Sequence, residues 1–299
     1  AILIAGPTAS GKSALALDLA RQAGGVIVNA DSMQVYAALR VLTARPGAAE
    51  EAQIAHLLYG HVDPGTSYST GRYVRDAAGL AADGAADGTL AGRPAIFVGG
   101  TGLYFRALIQ GLSDMPHVPD EVRAKWRAAA AAEGAAALHR LLGERDPAAA
   151  AALHPADAQR IVRALEVLEA SGRPISHWQK ASGQPVVDMA SARLFVVEPD
   201  REELARRISR RFDAMLDAGA LEEARALGRR CLDPALPAMK AIGVRELLAA
   251  ERGAVPFYVG VVGTTTATRQ YAKRQMTWFR NQFGPEWRRI AMGEAVSLG

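Results

Sequence analysis

The stretch Ala1-Ile2-Leu3-Ile4-Ala5, followed by Gly6-Pro7-Thr8-Ala9-Ser10-Gly11-Lys12-Ser13, decides the fold. Five apolar residues stopped by a glycine read as a strand buried on both faces of a parallel sheet. The next eight match G-x-x-x-x-G-K-[ST], and Leu15 and Leu19 then recur at helical spacing before Gly24-Gly25. Strand, glycine-rich loop and helix form the context in which this motif holds phosphate. Backbone N–H groups and the helix N-terminus cradle the oxygens, Lys12 adds a mobile cation, and Ser13 offers a hydroxyl to Mg²⁺. The loop alone does not say which polyphosphate it takes.

Further strands are expected at residues 26–28, 94–98 and 193–197, alternating with helical patterns. That alternation defines an α/β fold, a P-loop-type doubly wound parallel sheet. Residues 113–191 carry little strand pattern and several helical stretches. In the clearest, 156–170, Ile161, Leu165 and Leu168 share a face, and Gly172 stands past the end. The expected organisation is a core of residues 1–112 and 192–299 interrupted by a helical insertion domain at 113–191. The Ala-rich pieces 128–137 and 148–152 read as helix filler.

Composition narrows the class. Of 299 residues, 49% are hydrophobic and 22% charged, which excludes a disordered chain or a fibre. No apolar run approaches the ~18 residues of a membrane span. The single cysteine, Cys231, excludes an internal disulfide or a thiolate zinc cluster. With no signal-like segment in view, a cytoplasmic protein is expected. Net charge is +4, and only 5 of the 35 cations are Lys. In so Ala-rich a chain that bias fits coding composition, although Arg also suits phosphate.

Four further features carry candidate chemistry. Asp31 lies just past the second strand, at the carboxyl edge where doubly wound sheets bind ligands. It suits a general base or a metal ligand, yet Asp31-Ser32-Met33-Gln34 equally fits a helix N-cap with a capping-box Gln. Gly99-Gly100-Thr101-Gly102 follows the third strand, as a tight turn or as a close approach to substrate by Thr101. Arg207 and Arg211 share a face of the helix beginning at Asp200, ready to clamp a pyrophosphate or to pair with acids such as Glu203. In the helix expected at 264–283, Ala272, Met276, Phe279 and Phe283 form one face. Arg269, Lys273 and Arg280 occupy the adjacent arc, with Tyr271, Arg274 and Trp278 opposite. Cations interleaved with aromatics suit a nucleic-acid strand; a solvated basic face is the other reading.

With these segments in hand, the chain resembles the tRNA dimethylallyltransferase (isopentenyltransferase) family. The matching stretches are 6–13 (GPTASGKS), 29–36 (NADSMQVY), 98–104 (VGGTGLY), 157–166 (DAQRIVRALE), 211–216 (RFDAML) and 268–280 (TRQYAKRQMTWFR). They run in the family's order over nearly the whole chain. The departures are Ser13 where Thr is commoner, Arg45 in a Thr-Ala-Lys-Pro-like segment, and Val244-Arg245 after Ile242-Gly243. One cysteine also leaves no place among these residues for the zinc-finger tail of eukaryotic relatives.

The resemblance implies transfer of a dimethylallyl group from dimethylallyl diphosphate to the N6 amine of the adenosine 3′ to the anticodon. Asp31 would take the amine proton, Thr101 would touch the adenosine, and Arg211 with Lys12 would grip pyrophosphate, with Mg²⁺ present. Contacts to tRNA would come from Asp31, Ser32, Met33 and Gln34, from Gln159, Arg160, Ile161, Val162 and Arg163, and from Arg123. The basic strip Arg269, Lys273 and Arg280 would add to them. A monomer is expected. The alternatives are a P-loop small-molecule or nucleoside kinase and a free-nucleotide isopentenyltransferase; neither explains the basic strip.

Overall fold

A computed structural model describes residues 1–83, 92–180 and 183–298. It contains six strands: β1 Ile2–Ala5, β2 Val26–Asn29, β3 His56–Leu57, β4 Ala95–Gly99, β5 Arg193–Glu198 and β6 Arg288–Ala291. They form one parallel sheet in the order β3-β2-β4-β1-β5-β6. β1 is interior, so the loop after it opens at the middle of the carboxyl edge. Alternate β1 residues enter different layers, Leu3 and Ala5 on one face of the sheet and Ile2 and Ile4 on the other. That two-sided burial explains the unbroken apolar run.

Two strands were invisible to pattern reading. β3 is only two residues long, and β6 is an edge strand, Arg-Arg-Ile-Ala, with only Ile290 buried. Paired on one side and charged on its surface, such an edge lacks the apolar signal of the interior strands.

The chain divides into two compact units, Ala1–Ile109 with Val186–Gly299, and Gln110–Pro185. The second unit ends before residue 191 because Val186 and Val187 return to the core unit. Both backbone N–H groups donate to the Leu108 carbonyl, and Val187 is buried in the main core. Within the second unit, helix Asp120–Arg145 is interrupted at Gly134 (φ 79°) and packs with helix Ala158–Ser171 around Trp126, Leu138, Leu142, Ile161 and Leu165. The Asp157 carboxylate caps the latter helix and Gly172 (φ 68°) ends it. Among the described residues, no helix is long and apolar enough to cross a membrane.

In the core unit, helix Arg201–Asp217 starts at Asp200, whose carboxylate accepts the N–H groups of Glu202 and Glu203. The last helix, Phe257–Gln282, starts seven residues before the apolar stripe suggests. Its first turns carry Gly260, where a Cβ would come within 3.0 Å of the Glu246 carbonyl. Close packing on helix Val244–Glu251 thus replaces the apolar periodicity there.

Candidate active site

The loop after β1 builds a nest of backbone donors. Gly11 caps helix Lys12–Ala23 at φ 87°, and Ala9 also takes positive φ, 64°. The left-handed region costs a residue with a Cβ on the order of 1 kcal/mol or more, and such strain concentrates at functional loops. The Lys12 ammonium lies along this loop, donating to the Pro7 carbonyl at 3.2 Å. Burial, opposed by Asp31 and assisted by Arg211, pushes its pKa down to about 8. Ser13 is exposed on the first turn, and its hydroxyl has no hydrogen-bond partner among the described residues.

Arg207 and Arg211 both turn toward this loop. The Arg211 guanidinium donates to the Thr8 hydroxyl, and Arg207 reaches Met292 sulfur at 2.8 Å beside Gly11. Neither pairs with an acid among the described residues. Glu203, the partner suggested by helix spacing, is held by Arg206 and Arg210. Lys12, Arg207 and Arg211 therefore place three cations around the loop, with Asp31 the anion felt by Lys12 and Arg211.

Asp31 does not cap a helix. Residues 31–47 form turns, and Asp31 Oδ1 accepts the Met33 N–H at 2.9 Å in an Asx turn. The Gln34 amide is equally unavailable for a capping box, because it donates to the carbonyls of Thr43 and Ala44 at 2.8 and 3.0 Å. Asn29, at the end of β2, fixes the Asp31 backbone from both sides: its Oδ1 accepts the Asp31 N–H and its amide donates to the Asp31 carbonyl. Among the described residues no group hydrogen-bonds the other Asp31 carboxylate oxygen, and the residue is partly exposed.

The 99–102 glycines serve close approach by protein. A Cβ on Gly99 would lie 2.0 Å from the Ala30 carbonyl oxygen, one on Gly100 2.1 Å from Gln275 Nε2, and one on Gly102 2.1 Å from the Trp278 ring. Thr101 thereby reaches the Asp31 loop, its Oγ1 accepting the Ser32 N–H at 2.9 Å and donating to Ser32 Oγ at 3.2 Å.

Gln275 joins the parts. It is 5% exposed; its Oε1 accepts the Thr8 N–H and its Nε2 donates to the Gly100 carbonyl, both at 2.9 Å. One side chain of the last helix thus ties the phosphate loop to the glycine loop. The same helix faces a cavity of about 270 Å³ with Thr264, Thr268, Tyr271 and Arg274. Thr8, Asp31, Ser32, Met33 and Arg211 line the polar side, and Leu42, Ile208, Phe212, Met215 and Ile242 supply an apolar wall. The Glu223 carboxylate pins the 40–42 segment by accepting three backbone N–H groups.

The remaining expected residues lie elsewhere. Arg269, Lys273 and Arg280 are exposed and unpaired by acids among the described residues, Arg269 donating to Ser209 Oγ at 2.9 Å. None of the three lines the Asp31 cavity; the helix face read as opposite, Tyr271 with Arg274, does so. In the helical unit, Gln159 and Arg160 are exposed, and Arg163 is partly exposed beside Glu166. Ile161 is 0% exposed in that unit's core, so its side chain is not free to meet a partner, whereas Val162 packs beside it and stays partly exposed. Arg123 lies near Asp120 at 3.6 Å.

A P-loop α/β core whose cationic loop, carboxylate and part-apolar cavity adjoin is suited to transfer of a diphosphate-activated group. Comparison with known proteins agrees. The chain matches the IPP transferase family over residues 34–282 and the isopentenyl transferase family over residues 1–60. It is 60% identical to the tRNA dimethylallyltransferase of Mesorhizobium japonicum over 294 residues, 98% of this chain and 90% of that one. With the Agrobacterium fabrum protein of the same name it shares 55% identity over 97% of this chain and 96% of that one.

Two solved structures resemble it closely. The tRNA isopentenylpyrophosphate transferase of Bacillus halodurans superposes with a TM-score of 0.67 at 32% identity, over 97% of this chain and 89% of that one. A eukaryotic dimethylallyltransferase captured acting on tRNA gives 0.79 at 26% identity, over 97% of this chain and 73% of that one. The protein belongs to the IPP transferase family.

Proposed function

We propose that this protein transfers the dimethylallyl group of dimethylallyl diphosphate to the N6 amine of the adenosine 3′ to the anticodon in tRNA, releasing pyrophosphate. The observation that carries this reading is one cavity lined together by Asp31, the phosphate-loop residue Thr8, the Arg211 guanidinium and an apolar wall of Phe212, Met215 and Leu42. A diphosphate seated on the loop directs its five-carbon tail to that wall. The target amine enters beside Thr101 and attacks the allylic carbon. The carbon–oxygen bond to diphosphate breaks as the carbon–nitrogen bond forms, and the amine proton passes to the free Asp31 oxygen. Lys12, Arg211 and Arg207 stabilise the departing pyrophosphate. Closure by the polynucleotide excludes water that would otherwise capture a carbon with cation character.

A divalent ion fits this loop, and we take it to be Mg²⁺. Among the described residues no cluster of three or more His, Cys, Asp or Glu could hold a metal unaided. The exposed, unpartnered Ser13 hydroxyl is the protein ligand that a diphosphate-borne ion would meet, and the ion would neutralise leaving-group charge. The helical unit, with Arg123, Gln159, Arg160 and Arg163, grips the tRNA, as does the basic strip. The protein acts as a monomer in the cytoplasm, where the exposed free Cys231 stays reduced.

The test supplies dimethylallyl diphosphate or ATP with unmodified tRNA and magnesium and follows prenylated adenosine and phosphate release. Prenylation from the isoprenoid donor is expected. ATP hydrolysis or phosphorylation of a small acceptor, without prenylation, would overturn the reading in favour of a kinase.

A further inference from the structure

Tyr271 lines the Asp31 cavity from the last helix, and nothing in the chemistry above uses it. It is half-buried, and its hydroxyl sits beside the side chains of Thr101 and Gln275. Burial, reinforced by the Asp31 charge, pushes the phenol above its ordinary range, so the group is a neutral hydroxyl at any working pH. The Arg274 guanidinium stands over the ring, 5.8 Å from its centroid. Arg274 also lines the cavity, is exposed, and pairs with no acid among the described residues. A flat aromatic ring and an uncompensated cation therefore flank the carboxylate.

The proposed reaction brings a purine out of its stack and into this cavity, which forfeits base stacking. An aromatic side chain at the wall restores that interaction, and a neighbouring guanidinium extends the platform. The cavity offers two aromatic rings, Phe212 and Tyr271. Phe212 is 4% exposed and packs with Met215 in an apolar cluster, on the side that suits the prenyl tail. Tyr271 adjoins Thr101 on the Asp31 side. We propose that Tyr271 is the stacking platform for the target purine, with Arg274 beside it to meet the flanking nucleotides; this rests on the function proposed above.

Kinetics and binding test it together. Stacking of this kind changes affinity by roughly 5- to 150-fold on removal of the ring. Tyr271→Leu should raise KM for an anticodon stem-loop within that range and leave KM for dimethylallyl diphosphate within about twofold, which also reports an intact fold. Tyr271→Phe and Tyr271→Trp keep a ring and should stay within about threefold of the parent protein for RNA. A stem-loop carrying 2-aminopurine at the target position adds a readout that needs no transfer. Its fluorescence should be quenched in complexes with the parent and the Phe variant relative to the complex with the Leu variant, where the unstacked base stays bright. Unchanged RNA KM and quenching in Tyr271→Leu, or loss of RNA binding in Tyr271→Trp, overturns the platform. Absence of any prenylation by the parent protein would instead overturn the proposed function, with the quenching experiment still deciding Tyr271.

Discussion

Asp31→Asn separates two duties proposed for one carboxylate. Asparagine keeps an Oδ1 to accept the Met33 N–H, and the Asn29 bonds to the residue-31 backbone do not involve the side chain replaced. The turn is therefore preserved while charge and basicity are lost. Removing a positioned general base should lower kcat by roughly 10²–10⁴. The second effect is electrostatic. Asp31 raises the Lys12 pKa against a larger lowering by burial, which leaves it at about 8. Diphosphate binding needs the charged ammonium, present below that value and lost above it. In the parent protein, affinity for dimethylallyl diphosphate should be flat below pH 7 and weaken about tenfold for each unit above pH 8. In Asp31→Asn the same fall should begin at lower pH. The assay measures transfer at saturating tRNA and donor at pH 6.5, where Lys12 is charged, and donor binding from pH 6 to 9. Near-parental transfer at pH 6.5 would refute the base assignment, and an unshifted binding profile would refute the coupling between Asp31 and Lys12.

Four other variants discriminate among the proposed roles. Neutralising Arg269, Lys273 and Arg280 together should reduce the slope of log binding constant against log salt for tRNA by about two to three units, and leave donor binding unchanged; an unaltered slope makes the strip a solvated face. Gln275→Leu strands the Thr8 N–H and the Gly100 carbonyl, and should cost about 1–3 kcal/mol per unpaired buried group in denaturant unfolding while weakening diphosphate binding. Ile161→Ala should destabilise the helical unit by roughly 2–5 kcal/mol, whereas Arg160→Ala should leave stability alone and weaken tRNA binding in a filter assay. Parental tRNA affinity in Arg160→Ala would remove that helix end from the grip.

The phosphate loop, the interior strands and the helix ends at Asp200 and Gly172 were legible because each is written in a few adjacent residues. Tyr271 and Gln275 were not. A helical wheel separates faces but cannot say which polar face meets which loop, and Gln275 has meaning only once Thr8 and Gly100 stand beside it. Asp31 shows the limit from the other direction. Four residues fit a helix cap, and only the turn that follows, fixed by Gln34 on the 43–44 carbonyls, decides against it. The glycines of 99–102 were read against substrate or turn geometry, while their neighbours are Ala30, Gln275 and Trp278. Such steric demands come from chain far away in sequence.

The bond from the Thr8 amide to Gln275 spans 267 residues. A ribosome adds roughly 5–20 residues per second, so the phosphate loop emerges tens of seconds before its last restraint does. β1 waits similarly for β5, since its second neighbour in the sheet is not translated until residue 193. A nascent or prematurely released chain ending before the last helix therefore carries the loop sequence without Gln275 to hold it. The restraints on the phosphate loop are therefore complete only once the last helix has been made.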